Sequence, residues 1–214
     1  MSFLVRSFTA APKLYTNLVK FNFYSSMAKK SALVVLSEGS EDMECVISVD
    51  VLRRGGIDVT VAGLQGNKVL ECQGKVKIQP DTSLEEAANK QFDVVVLPGG
   101  MKGSEAFCAS NLVGKILKEQ ESSGRLIAAI CAAPLALKAH GVCSTKKITS
   151  YPSMEKEITE GQKFTYLQDK VVVDGNLITS RGPGTAVDFA LAIVDKLMGK
   201  ETASTTAKRM LLEY

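Results

Sequence analysis

The chain has 214 residues, 45% apolar and 23% charged, the make-up of one globular domain with a sizeable core. A long disordered chain, collagen-like repeats and a coiled-coil rod are excluded, and no stretch reaches the ~20 uncharged apolar residues of a membrane span. The net charge of +3 lies wholly in the first 26 residues, where Arg6, Lys13 and Lys20 meet no acid, so the body has no basic field to favour nucleic acid.

Residues 1–26 read as an extension to a domain over 27–214. Leu4, Phe8, Ala11, Tyr15 and Leu18 alternate at helical spacing, and the three cations recur every seven residues on another face. A basic, acid-free, Ser-containing amphipathic segment has the properties of a mitochondrial presequence. A tail without an address, or a start at Met27, are the alternatives, so the expected location is cytoplasmic, mitochondrial or both.

From there strands and helices alternate. Ser31–Ser37 is a valine-rich buried strand, and Glu41–Arg54 a helix stopped by Gly55-Gly56. Ile57–Ala62 is a strand, Val69–Gln79 a short hairpin around Gly74, Leu84–Asn89 a brief helix. Phe92–Leu97 is a buried strand cut off by Pro98-Gly99-Gly100; Leu112–Glu121 is a helix and Leu126–Ile130 a further strand. Ala132–Ala139 reads as helix and Lys147–Ser150 as a short strand. Lys170–Ser180 is a hairpin with Asp174-Gly175 at its turn. Thr185–Leu197 is an apolar helix, and 201–212 can form a last one. Strands without polar alternation, separated by helices, imply an α/β domain with a doubly wound, mostly parallel sheet and helices on both faces. Ligands bind such sheets beyond the carboxyl ends of the strands, which selects Ser37–Glu44, Leu97–Gly103 and Ile130–Ala133.

Cys131 is the sharpest feature of these three. The run AAICAAPLAL carries a buried strand straight into a helix with the cysteine at the junction, the layout of a nucleophile elbow. Such a turn needs small residues two before and two after, here Ala129 and Ala133. A helix start behind the sulfur is expected to favour the thiolate. A buried structural cysteine is the competing reading. A thiolate attacking a carbonyl needs oxyanion donors, and the backbone N–H groups of Gly100 and Ala132 are the candidates. Glu44, in the first turn of the first helix, lies at the same sheet edge. A carboxyl against a thiolate tends to keep its proton and can relay it; complementing the helix dipole is the plainer role.

Cys45, Cys72, Cys108 and Cys143 lack this setting. With five cysteines, no C-x-x-C pair and one histidine, neither a disulfide framework nor a zinc site is supported, and free thiols are expected. His140 stands at the far end of the helix that Cys131 opens, ~13 Å along its axis, too far for a Cys–His dyad.

From about Lys29 to Lys200 the chain resembles the Parkinson-disease-associated protein deglycase family of the ThiJ/PfpI superfamily. The stretches that carry the resemblance are ALVVLSEGSEDMECV, DVLRRGGIDVTVAGL, DVVVLPGG, LKEQESSGRLIAAICAAPLAL and ITSRGPGTAVDFALAIVDKLMGK. The resemblance implies a flavodoxin-like fold, a homodimer, and no metal or organic cofactor. It implies that Cys131 is the reactive, oxidation-sensitive cysteine and Glu44 its protonated partner, with Gly99, Gly100 and Ala132 supplying the surrounding backbone. Two departures stand out. Tyr151 replaces a histidine of many relatives, and a phenol with a pKa near ~10 is a poor base at neutral pH, which leaves it at most an accessory role. Gln73-Gly74 replace a basic residue that relatives carry after the cysteine matching Cys72.

Two uses of one cysteine follow from the resemblance: deglycase or glyoxalase turnover of methylglyoxal or glyoxal adducts, and peroxide sensing through a cysteine sulfinate. Small aldehydes or glycated protein side chains are the expected substrates, with no membrane or nucleic acid as partner. A redox-sensitive chaperone, or a dimeric interaction module without turnover, is the alternative.

Overall fold

A computed structural model describes residues 29–161 and 163–214; the presequence-like segment lies outside them. The first strand, β1 (Ser31–Leu36), is apolar on every residue after Ser31 because both its faces are covered. Ala32, Val34 and Leu36 point into one core, Leu33 and Val35 into the other. Helix α1 (Asp42–Arg54) follows, capped by the Glu41 carboxylate, which accepts from the Glu44 N–H at 2.8 Å. It ends at Gly55-Gly56, and β2 (Asp58–Gly63) pairs parallel to β1.

The hairpin of β3 (Leu70–Glu71) and β4 (Lys77–Ile78) stands off the main sheet. After it come β5 (Thr82–Ser83), α2 (Leu84–Ala87) with a capping box from Ser83 and Glu86, and β6 (Val94–Leu97). Helices α3 (Met101–Ala109) and α4 (Asn111–Ser122) lead to β7 (Leu126–Ile130), and α5 (Pro134–His140) follows a three-residue turn. Three small elements come next: β8 (Lys147–Ile148), α6 (Glu155–Thr159) and β9 (Thr165–Tyr166). The chain closes with β10 (Val171–Asp174), β11 (Leu177–Ser180), α7 (Ala186–Met198) and α8 (Lys200–Arg209).

The main sheet has seven strands in the order β10-β11-β7-β6-β1-β2-β5, parallel except for the edge strand β10. α1, α7 and α8 cover one face; α2, α3, α4 and α5 cover the other. The doubly wound fold with helices on both faces is therefore the one the strand pattern implied. The chain winds outward from β1 through β2, then returns to the other side of β1 for β6. That reversal opens a crevice at the carboxyl ends of β1 and β6. Among the described residues no helix is long and apolar enough to cross a membrane.

Four local expectations need correction. Helix α3 covers Met101–Ala109, where the sequence pattern marks no element, because an interior glycine weakens the helical signal. A Cβ on Gly103 would sit 2.9 Å from the Ser40 backbone, so close packing against the β1–α1 loop excludes larger residues. Helix α5 starts at Pro134 rather than Ala132, so no helix begins directly behind Cys131. The β10–β11 turn centres on Gly175-Asn176, with Gly175 at φ +61° in the first central position, as a type II′ hairpin requires. Strand β8 lies within the short strand expected at Lys147–Ser150, but its partner β9 and helix α6 were not foreseen, being too short to show a period.

Candidate active site

Cys131 sits between β7 and α5 with φ +65°, a region costly for a residue bearing a Cβ. Both of its peptide groups are tied down. Its N–H donates to the Ser180 carbonyl at 3.0 Å, and its carbonyl accepts from the Tyr151 N–H at 2.9 Å. Ala129 and Ala133 are fully buried beside the turn. The elbow expected from AAICAAPLAL is therefore present. The thiol is half-buried and opens on a cavity of about 460 Å³.

Glu44 reaches the same point from α1 and is fully buried. Its Oε2 accepts from the Gly99 N–H at 2.7 Å. Its Oε1 is buried without a hydrogen-bond partner among the described residues. The carboxyl stands beside the Cys131 thiol, and its charge raises the thiol's hold on its proton. Burial pushes the Glu44 carboxyl up to about 7; the Gly99 N–H opposes this, and the nearby Glu41 carboxylate adds to it.

Burial also pushes the Cys131 thiol up, to about 12, with the Glu44 charge as the second cause. The backbone N–H groups of Gly100 and Ala132 pull the other way. This corrects the expected downward shift: the helix behind Cys131 starts three residues after it, and burial outweighs the two N–H groups. The two groups titrate as a pair, which holds two protons below about pH 7 and a single one above it, until the thiol ionises. Carboxylate with thiol, and carboxylic acid with thiolate, are tautomers of that one-proton state. The Gly100 and Ala132 N–H groups favour the second, and the Gly99 N–H favours the first.

Each backbone position here has a steric reason. A Cβ on Gly99 would lie 2.5 Å from the Cys131 Cβ and 2.7 Å from Glu44 Oε2. Gly100 has φ +85°, and its Cβ would collide with the Gly39 carbonyl. Ala132 lines the cavity directly after the cysteine. Tyr151 also lines it, half-exposed, and its hydroxyl makes no hydrogen bond among the described residues. Cys131, Glu44, Gly99, Gly100, Ala132 and Tyr151 thus come together, from three loops and the first turn of α1.

Ser153, Met154 and Pro183 also line the cavity and were not singled out from the sequence; Glu41 and Met101 come from the segments selected there, and Gln73 is the residue noted as a departure from relatives. Gln73 arrives on the β3–β4 hairpin, whose turn Asp42 grips by accepting from the Gly74 and Val76 N–H groups at 2.5 and 3.0 Å. No short-range pattern links position 42 to 74 or 76. His140 lies away from the cavity, its Nε2 2.8 Å from the Phe107 carbonyl. Cys45, Cys72 and Cys143 are buried and pushed up to about 12, 11 and 12, in each case chiefly by burial. Cys131 differs from them in its open cavity and its two neighbouring backbone N–H groups, not in a lower proton affinity.

Comparison with known proteins agrees with this geometry. The model of the DJ-1/PfpI family matches residues 30–196. Protein dj-1beta of Drosophila melanogaster is 57% identical over 186 residues, covering 86% of this chain and 98% of its own. The crystal structure of Drosophila melanogaster DJ-1beta superposes with a TM-score of 0.84, over 87% of this chain and all of that one. A Caenorhabditis elegans protein named glutathione-independent glyoxalase DJR-1.2 is 40% identical over 86% of this chain and 98% of its own. A matched segment of that length, carrying the elbow, the buried glutamate and the paired glycines together, makes this chain a member of the DJ-1/PfpI family.

Proposed function

We propose that this protein is a cofactor-independent glyoxalase and protein deglycase, with Cys131 as nucleophile and Glu44 as proton relay, and that the same sulfur senses peroxide. One observation carries the reading: a strained, cavity-facing thiol lies against a fully buried carboxyl that burial raises to about 7. A group near the working pH is the best proton carrier.

In the acid–thiolate tautomer, sulfur adds to the aldehyde carbon of methylglyoxal. The C–S bond forms, the carbonyl π bond opens onto oxygen, and the Glu44 proton quenches the alkoxide. Gly100 and Ala132 N–H groups are placed to receive that oxygen. The Glu44 carboxylate then takes the C1 proton and returns it to C2 through an enediol. This leaves a lactoyl thioester, which water cleaves to lactate and free thiol. For a glycated amine, sulfur displaces the amine from the carbinol carbon and the same hemithioacetal results. Atoms balance as dicarbonyl plus water giving hydroxy acid. Tyr151 has no step here and acts as a wall.

In the sensing reaction the thiolate takes one oxygen from peroxide, releasing water, and a second peroxide gives the sulfinate. A protonated Glu44 beside it can donate to a sulfinate oxygen. A homodimer belongs to this reading. Met43 and Val46, neighbours on α1, stand half-exposed together with Val76, whose N–H reaches Asp42 on the same helix. An apolar patch of this kind is the usual mark of a partner surface.

The test is glyoxal and methylglyoxal turnover by the wild type and by Cys131→Ala. Turnover should fall to the uncatalysed rate in the variant; equal rates in both proteins would remove the enzymatic assignment.

A further inference from the structure

The active-site cavity has a neighbour that the chemistry above does not use. A second cavity of about 570 Å³ runs between α3, α5 and α6. Met101, the first residue of α3, lines both cavities, so the second begins where the first ends. From there Glu105, Cys108 and Ala109 continue along one face of α3, facing Leu135 and Ala139 of α5. Met101 to Ala109 spans about 12 Å of helix, which is the length of about four extended residues.

The chemistry of this groove is specific. Its floor is apolar: Met101, Leu135, Ala109 and Ala139. Its rim carries two exposed carboxylates, Glu105 and Glu157, neither of which forms an ion pair among the described residues. The one cation present, Lys138, is already engaged, donating to the Glu157 backbone carbonyl. The catalytic cavity adds Glu41 and no cation. A three-carbon dicarbonyl fills neither this volume nor this charge pattern.

We infer that the groove is an extended subsite for the polypeptide on either side of a glycated arginine or lysine, and that it selects segments that are both apolar and cationic. This rests on the proposed deglycase chemistry. The modified side chain would enter past Met101 to Cys131, while about four neighbouring residues lie along α3. Apolar side chains would cover the floor, and their basic neighbours would meet Glu105 and Glu157. The free dicarbonyl uses only the first cavity.

The probe is a fluorescein-labelled five-residue peptide with a central arginine flanked by leucine and lysine. Its binding is read by fluorescence anisotropy on Cys131→Ala protein, with and without Glu105→Lys plus Glu157→Lys. Both positions are surface-exposed, and circular dichroism checks the fold. Reversing two rim charges should weaken binding about tenfold. With Cys131 intact, kcat/KM for the methylglyoxal-modified peptide should fall about as much, while kcat/KM for free methylglyoxal stays within about twofold. Unchanged peptide affinity, or an equal loss for both substrates, overturns the inference. The two proposals separate cleanly. Charge-dependent peptide binding without turnover of either substrate keeps the groove and refutes the chemistry. Turnover of both substrates without peptide binding keeps the chemistry and refutes the groove.

Discussion

Glu44→Gln is the most informative single change, because it alters charge at the buried carboxyl while keeping its shape. The amide oxygen can take the place of Oε2 on the Gly99 N–H, and the amide NH2 then occupies the site of the unpartnered Oε1. The wild-type carboxyl is raised from 4.5 to about 7 by burial first. The folded protein therefore holds this proton more tightly than the unfolded chain does. The stability so gained is fully present below pH 4.5 and is lost as pH rises through about 7. This is opposite in sign to the ordinary carboxylate, whose charged form is stabilised by folding. At 1.36 kcal/mol per pKa unit the shift corresponds to about 3 kcal/mol.

The glutamine variant has no such proton to lose. Urea unfolding followed by circular dichroism between pH 5 and pH 8.5 should show the variant gaining on the wild type by about 3 kcal/mol across that window. In melting temperature this is on the order of 5–10 °C for a chain of this length. The comparison between the two proteins cancels the other titrating groups, and it stops short of the range where Cys131, raised to about 12, begins to ionise. Parallel profiles for the two proteins would refute the reasoning: Glu44 would then be an ordinary carboxylate, and the shared proton on which the chemistry depends would not exist.

Gly99→Ala should be severe for a different reason. Its Cβ would meet the Cys131 Cβ at 2.5 Å and Ile130 O at 3.0 Å, so a drop of about 2–3 kcal/mol in urea unfolding, with loss of turnover, is expected; a neutral result would mean that the strand ends are not packed this closely. Val46→Glu puts a charge into the half-exposed apolar face of α1, and sedimentation should change from dimer to monomer with the domain still folded. A dimer that survives the change would move the interface elsewhere. For the presequence-like segment we propose cleavage in mitochondria. N-terminal sequencing of protein from purified mitochondria should find a start within or just after residues 1–26, and an intact Met1 in cytosolic protein, with none in mitochondria, would remove the address.

What could be read from the sequence, and what could not, divides along a physical line. Strands such as Val94–Leu97 and Leu126–Ile130 announce themselves because both faces are buried, so every residue is apolar and no partner need be known. The elbow at Cys131 is equally local: its small neighbours are fixed by sterics within five residues. The pairing of Glu44 with Cys131 crosses the sheet, yet it follows from a topological rule, since both positions lie beyond the carboxyl ends of parallel strands on the same edge. The proton affinity of Cys131 does not follow from such rules. It depends on how much water the fold removes, on a carboxyl from α1, and on N–H groups from Gly100 and Ala132, so a prediction from the helix start alone had the wrong sign. Helix α3 shows the same limit. Gly103 argues against a helix in isolation, and only the contact with Ser40, sixty-three residues earlier, makes glycine the residue that fits. The features that distinguish this site, one shared proton and a groove that starts at Met101, are properties of several loops at once, and charge and packing measured on the folded protein are what will decide them.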